Sequence, residues 1–222
     1  MNGTSTLKIV HATPLVSESE VRMYEDRGYL GLGRASRYYI HLGKYLEPLF
    51  RDSLHSITIL DVGCGSGTGL LYLKDRYGLD FYGIDPDIDE LLRINQYSTE
   101  PPQWWNVGDG EIRERLIDLR SNGKLINDYW GNVIKYNKDI PDGSIDAIVN
   151  VYSVGMENHE VNPTVDIAYI RKILKEPGYF LTVANGESWL IYYAVHKSGC
   201  PLLFKSDNED GNPLLTLIYK VK

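Results

Sequence analysis

The chain has 222 residues, of which 43% are hydrophobic and 24% charged, and its formal net charge is −7. This composition is typical of a folded protein with one sizeable core, rather than of a disordered or fibrous chain. The acidic balance argues against a broad surface for nucleic acid. With no secretory-type leader and no run of roughly 18 apolar residues, the sequence predicts a cytoplasmic protein that does not span a membrane.

The residues before the first predicted strand form a segment of their own. Apolar side chains between residues 17 and 50 recur at helical spacing, and glycines at 28, 31 and 33 interrupt the pattern, which predicts two helices. We expect residues 1–55 to form an N-terminal helical cap and residues 56–222 to form the main domain. The only cysteines, Cys64 and Cys200, favour a reducing compartment.

The next part of the chain alternates between strands and helices. A β-branched run at Ile57–Val62 leads into a glycine-rich loop at 63–69, and a helical pattern follows over 70–77. A second strand is predicted at Phe81–Ile84, with a further helix over 88–95. This alternation predicts an α/β fold with a doubly wound, mainly parallel sheet.

The alternation is less regular in the second half of the chain. Residues from about 98 to 130, with their paired prolines and tryptophans, are interpreted as an insertion, and the third strand is predicted at Val133–Tyr136. Two more parallel strands and a terminal antiparallel hairpin would complete a seven-stranded sheet. Their predicted ranges are Ile145–Val151, Tyr179–Val183, Leu202–Lys205 and Leu214–Val221.

The glycine loop is the strongest functional signal. In parallel α/β sheets, ligands bind beyond the carboxyl ends of the strands, where glycines let the backbone come close to a nucleotide-like group. The dinucleotide pattern GxGxxG fails here, because its third glycine is missing in each of the three possible frames. The phosphate-binding loop fails as well, since no Lys-Ser or Lys-Thr pair follows the glycines.

The segment Ile59–Gly67, with the sequence ILDVGCGSG, resembles the first motif of class I methyltransferases almost letter for letter. Two later segments, Pro141–Val149 and Ile173–Leu181, resemble the family's fourth motif and the turn before its fifth strand. The likeness covers about residues 57 to 184, and the terminal hairpin is similar to the family's last two strands. The resemblance implies a Rossmann-like fold, S-adenosylmethionine as cofactor and methyl transfer as the activity.

The resemblance also assigns cofactor-binding roles to particular residues. Asp61, Gly63 and Gly65 would hold the amino acid part of S-adenosylmethionine. Asp85, at the end of the second strand, would accept hydrogen bonds from the ribose hydroxyls, although an Asp-Pro turn or helix cap is the alternative interpretation. The remaining candidate contacts are Cys64, Pro86 and Asn150.

The adenine contact is assigned from the segment Trp130–Val133, which resembles the family's sequence after the third strand. An Asp or Asn usually stands there, and Asn132 is the candidate in this chain. Asp139 is the competing choice if the register shifts.

Methyl transfer from a sulfonium is a direct displacement, so it needs alignment and water exclusion but no covalent protein residue. His159, close to Glu157 after the fourth predicted strand, is the candidate catalytic base. The alternative is that both residues lie on an exposed first turn of the next segment and have no catalytic role.

Residues 150–153 do not match the motif of adenine methylases, which favours a small-molecule acceptor. Histidines and cysteines lack metal-ligand spacing, so no metal is expected. A non-catalytic cofactor-binding subunit and an aminopropyl transferase are the alternative functions.

Overall fold

The computed structural model describes residues 16–26, 35–94, 110–136, 140–151, 163–184, 190–205 and 215–222. The helices in these ranges are α1 (Glu18–Asp26), α2 (Ala35–Phe50), α3 (Thr68–Tyr77), α4 (Ile88–Ile94), α5 (Gly110–Ser121), α6 (Trp130–Tyr136), α7 (Pro163–Ile173) and α8 (Leu190–Lys197). The strands are β1 (Thr58–Val62), β2 (Asp80–Ile84), β3 (Leu125–Ile126), β4 (Ile145–Val151), β5 (Leu174–Ala184), β6 (Leu202–Lys205) and β7 (Leu215–Lys220). A short 3₁₀ helix, Arg51–Ser56, leads from α2 towards β1.

The strands form one seven-stranded sheet in the order β3-β2-β1-β4-β5-β7-β6. β1 pairs in parallel with β2 and β4, β2 with β3, and β4 with β5. β7 is antiparallel to both β5 and β6. The predicted doubly wound α/β sheet with a terminal antiparallel hairpin is therefore confirmed. β1 lies at the point where the chain changes direction across the sheet, which is where ligands bind in such folds.

Two hydrophobic clusters cover the two faces of this sheet. Neighbouring residues of a strand point to opposite faces, and Ile59 belongs to one cluster whereas Leu60 belongs to the other. The first cluster includes residues of α2, α3 and α5, and the second includes residues of α6, α7 and α8. Parallel strands buried on both faces are expected to be mainly apolar, and in β1 and β4 the buried polar exceptions are Asp61 and Asn150.

The third strand is not where the sequence predicted it. Residues Val133–Tyr136 belong to helix α6, and the strand that pairs with β2 is Leu125–Ile126. Both α5 and β3 lie inside the range interpreted as an insertion, and Ile112 and Leu116 of α5 are buried in the first cluster. This part of the chain therefore supplies the edge of the sheet and one of its covering helices.

The two predicted N-terminal helices are present as α1 and α2. α1 begins with a capping box, in which the Ser17 hydroxyl accepts from the Glu20 amide at 3.3 Å and the Glu20 carboxylate accepts from the Ser17 amide at 2.8 Å. Glu20 also forms a 2.9 Å salt bridge with Lys44 of α2. α2 packs against α3 and β5 and shares their core through Leu42 and Leu46, which are fully buried. None of the described helices is long and apolar enough to cross a bilayer.

Gly83 of β2 gives a test of this packing. A Cβ at Gly83 would lie 2.7 Å from Sγ of Cys64 and 2.9 Å from side-chain atoms of Leu125 and Leu70. We expect Gly83→Ala to lower the free energy of unfolding by about 1–3 kcal/mol, because a packed core resists added volume. Gly110→Ala is the matched control, since its Cβ meets no atom within 4 Å. Urea denaturation measures both, and equal stability of the two variants would contradict this packing.

Candidate functional site

The glycine loop between β1 and α3 is fixed to the end of β2. The backbone amides of Gly63 and Cys64 both donate to the carbonyl oxygen of Ile84, at 2.8 and 3.2 Å. Within the loop, the amide of Gly67 donates to the carbonyl oxygen of Cys64 at 3.1 Å. These bonds turn the chain sharply at the carboxyl end of β1 and direct it into helix α3.

Gly65 is a half-buried residue in the middle of this loop. Its φ of +58° lies in the left-handed region, which favours glycine. A Cβ on Gly65 would meet no atom within 4 Å, so its neighbourhood is open. The backbone of the loop can therefore come into close contact with a ligand at this position.

Asp85 follows β2 and closes the loop from the other side. Its Oδ2 accepts from the Gly65 amide at 2.9 Å, and its Oδ1 accepts from the Asp87 amide at 2.9 Å. Burial raises the pKa of Asp85, and the two amides act against that rise. Each carboxylate oxygen has a second lone pair, so Asp85 can brace the loop and still accept from a ligand hydroxyl. Pro86 is half-buried in the turn that follows.

Asp61 lies near the end of β1 and has no exposed surface. Its Oδ2 accepts a 2.5 Å hydrogen bond from the Tyr39 hydroxyl, whereas its Oδ1 has no hydrogen-bond partner among the described residues. Burial raises the pKa of Asp61 to about 7. The Tyr39 hydrogen bond opposes the rise, the charge of Asp85 adds to it, and a weaker contact with the backbone of Val151 opposes it slightly. The carboxylate therefore gains from any cation that reaches Oδ1.

Cys64 contributes to the loop through its backbone, while its side chain packs inward. The thiol is buried, and its Sγ lies where a side chain on Gly83 would stand. Burial raises the pKa of the Cys64 thiol well above its usual value, with added repulsion from Asp85 and Asp61. The thiol therefore stays protonated, and its visible role is to fill the space beneath the loop.

Asn150 lies on β4, next to the end of β1. It is only 3% exposed, and its Nδ2 donates to the carbonyl oxygen of Val62 at 3.0 Å. The side chain thus ties the last residue of β1 to β4, directly before the loop begins. The structure places Asn150 beside the glycine loop, and its contact with a cofactor stays a prediction.

Asn132 does not directly follow the third strand, because that strand ends at Ile126. It lies in α6, where its Nδ2 donates to Oδ1 of Asp128 at 2.7 Å. The residues at the carboxyl end of β3 are Asn127 and Asp128, and Oδ1 of Asn127 accepts from the Asp89 amide at 2.6 Å. In the sequence, the apolar pair Leu125–Ile126 followed by two polar residues could have indicated the end of this strand. The adenine role of Asn132 stays a prediction.

Tyr39 also lies at this site, and the sequence did not predict a role for it. It lies on α2, in the segment before the sheet, and nothing in its local pattern links it to Asp61. His159, Glu157 and Asp139 lie outside the described residues. Within the described ranges, no group of three His, Cys, Asp or Glu side chains is arranged to hold a metal ion.

The buried carboxylate of Asp61 predicts a pH-dependent cost in stability. Its folded-state pKa lies above the ordinary value of 3.8, so the stability gained from the neutral form is fully present below about pH 4. That contribution is lost as the pH rises through about 7. We therefore expect Asp61→Asn to stabilise the unliganded protein by roughly 1–3 kcal/mol at pH 8, and by less at pH 5.

Chemical denaturation at the two pH values measures this difference. Asp118→Asn is the control, because Asp118 is an exposed carboxylate on α5. An Asp61→Asn variant no more stable than the parent at pH 8 would show that burial of the carboxylate carries no such cost.

Comparisons with known proteins agree with this architecture. A family model described as a methyltransferase domain matches residues 33–202. The structure of a SAM-dependent methyltransferase from Aquifex aeolicus superposes with a TM-score of 0.52 at 13% identity, covering 94% of this chain and 100% of that one. No curated protein matches the chain in sequence.

A second solved structure is that of geranyl diphosphate C-methyltransferase from Streptomyces coelicolor A3(2). It is 13% identical, covers 97% of this chain and 89% of that one, and superposes with a TM-score of 0.48. The family match spans well over half of this chain, and the Aquifex structure shares its fold. The chain therefore belongs to the methyltransferase-domain family and has the fold of the class I, S-adenosylmethionine-dependent methyltransferases.

Proposed function

We propose that the protein transfers a methyl group from S-adenosylmethionine to a small-molecule acceptor. The observation that carries this proposal is the pairing of an open glycine loop with a buried carboxylate whose Oδ1 lacks a partner among the described residues. The loop and Asp61 lie together at the carboxyl end of β1, where the fold family places its cofactor. Family membership supports the reaction, and these residues support the cofactor.

Asp61 suits the positively charged ammonium of the cofactor's amino acid part. A buried anionic oxygen without a hydrogen bond is costly, and a charge-assisted bond to an ammonium would offset that cost. The cation would also favour the ionised carboxyl, lowering the pKa of Asp61 from the value near 7 that it has without a ligand. Both arguments favour a cation over a neutral or anionic group at this position.

Asp85 suits the ribose of the cofactor, and the glycine loop leaves room for the rest of the molecule. The loop amide of Gly65 is already bonded to Oδ2 of Asp85, so the carboxylate and the loop form one rigid unit. A ribose hydroxyl can bond to the remaining lone pairs of Asp85, while Gly65 leaves room beside the loop. The adenine would then lie towards the carboxyl end of β3, where Asp128 competes with Asn132 as its partner.

The protein's part in catalysis is mainly to position the reactants. Held by Asp61, Asp85 and the loop, S-adenosylmethionine would supply a methyl group on a positively charged sulfur, open to direct displacement by an acceptor's electron pair. These residues would fix the position of the methyl group relative to the acceptor. No covalent intermediate with the protein is needed.

We propose a small molecule, rather than a nucleic acid, as the acceptor. The net charge of −7 offers little attraction for a nucleic acid, and residues 150–153, at the end of β4, lack the motif of adenine methylases. Residues 1–55 are proposed to cap the acceptor side of the site, which the contact of Tyr39 with Asp61 supports. His159, on the segment that follows β4, is proposed as the base for an acceptor that must lose a proton.

Calorimetry tests the cofactor proposal directly. We expect S-adenosylmethionine and S-adenosylhomocysteine to bind, and NAD to give no measurable heat. Asp61→Asn should weaken both ligands at least tenfold, because the ammonium loses its charged partner. Asp118→Asn, which removes an exposed carboxylate, should leave both affinities unchanged. Absence of binding by the parent protein would overturn the proposal, and binding without transfer of labelled methyl in an acceptor screen would favour a non-catalytic subunit.

His159→Asn tests the proposed base once an acceptor has been found. If His159 removes a proton in the reaction, kcat should fall about 10²- to 10⁴-fold while the affinity for S-adenosylhomocysteine stays the same. Steady-state kinetics and calorimetry on the same preparation separate the two effects. Unchanged turnover would exclude His159 as the base.

A further inference from the structure

Helix α2 reaches the candidate cofactor site through the side chain of Tyr39. Tyr39 is 5% exposed, and its hydroxyl donates to Oδ2 of Asp61 at 2.5 Å. Such a short distance is typical of a charge-assisted hydrogen bond from a hydroxyl to a carboxylate. α2 and β1 are thus joined at the acid that the proposed function pairs with the ammonium.

The ring of Tyr39 is held in place by the first turn of α3. A Cβ on Gly69 would clash with Cδ2 of Tyr39, so the ring rests directly on the helix backbone there. Only glycine allows this close approach, although alanine would be the better helix former. The same turn follows the glycine loop, so the position of the Tyr39 hydroxyl is fixed relative to the loop.

The hydrogen bond makes the two oxygens of Asp61 different. Oδ2 is taken by the hydroxyl of Tyr39, and Oδ1 has no hydrogen-bond partner among the described residues. Rotation of the carboxylate would break the bond to Tyr39 inside a buried environment, which is costly. The carboxylate is therefore locked in one orientation before a ligand arrives.

We propose that Tyr39 is a positioning residue for the cofactor, holding Asp61 so that Oδ1 accepts from the ammonium of the amino acid part. This inference rests on the proposed function and adds a residue from the N-terminal helices to the cofactor site. Tyr39 acts through Asp61 rather than by touching the ligand. Its effect is therefore confined to ligands that carry the ammonium.

The hydroxyl also affects the protonation of Asp61. Its hydrogen bond acts against the rise in pKa that burial and the charge of Asp85 cause. Removing the hydroxyl should raise the pKa of Asp61 further, so more of the carboxyl is neutral at pH 7. The affinity for an ammonium-bearing ligand should then reach its plateau at a higher pH than in the parent protein.

Tyr39→Phe tests the inference, because it removes the hydroxyl and keeps the ring that covers Gly69. Two probes are compared by calorimetry: S-adenosylhomocysteine, which has the ammonium, and 5′-methylthioadenosine, which lacks the amino acid part. We expect the affinity for the first to fall roughly tenfold at pH 7, and that for the second to change less than twofold. The pH at which S-adenosylhomocysteine binding reaches half its plateau should rise.

Tyr45→Phe is the matched control. Tyr45 is a buried tyrosine of the same helix, and its ring packs against His41 and Phe204 rather than next to Asp61. This variant should leave the ratio of the two affinities unchanged. Equal weakening of both probes by Tyr39→Phe, or an unshifted pH profile, would show a purely structural role and overturn the inference.

A second comparison serves if Tyr39→Phe alone folds poorly. In an Asp61→Asn background the buried group is neutral, so the loss of the hydroxyl should be better tolerated. There, Tyr39→Phe should cause no further loss of S-adenosylhomocysteine affinity, whereas an added loss as large as in the parent would contradict the inference. Failure of the parent protein to bind either probe would instead reject the proposed function, so the two failures are distinguishable.

Discussion

The buried carboxylate of Asp61 constrains the arrangement of the elements around it. It lies on the interior strand β1, which has parallel neighbours on both sides, and burial together with the charge of Asp85 opposes its ionisation. The Tyr39 hydroxyl offsets part of this cost by donating a hydrogen bond to Asp61. For Tyr39 to reach Asp61, α2 must lie across the first turn of α3. That crossing in turn requires a glycine at position 69. The placement of α2 is thus linked to a single acidic side chain.

Much of the fold could be predicted from the sequence because its signals are local. β1 is a mainly apolar run, interrupted by Asp61, that leads into a glycine loop. Three of the loop glycines, Gly63, Gly65 and Gly67, have positive φ values that other residues rarely adopt. The terminal hairpin shows the same agreement between pattern and structure. Where backbone geometry demands a particular residue type, one sequence is enough to locate the feature.

The third strand shows where such reasoning fails. β3 is only two residues long, too short to display any alternation, and its assignment depends on pairing with β2. α6 is a seven-residue helix whose apolar Val133 and Ile134 resemble the start of a strand. Tyr39 was missed for a related reason, since its contact joins residues 22 positions apart in the chain. Contacts made by tertiary packing leave no periodic signal in the sequence.

The position of β7 has a consequence for the order in which the molecule assembles. β7 lies between β5 and β6, although it follows both in the chain. Its antiparallel pairing extends to the backbone bonds between Gly178 and Lys222. During synthesis, β6 is made before the strand that joins it to the sheet. Nascent chains that stop short of β7 would therefore expose the edge of β5, and the sheet closes only when synthesis has passed residue 220.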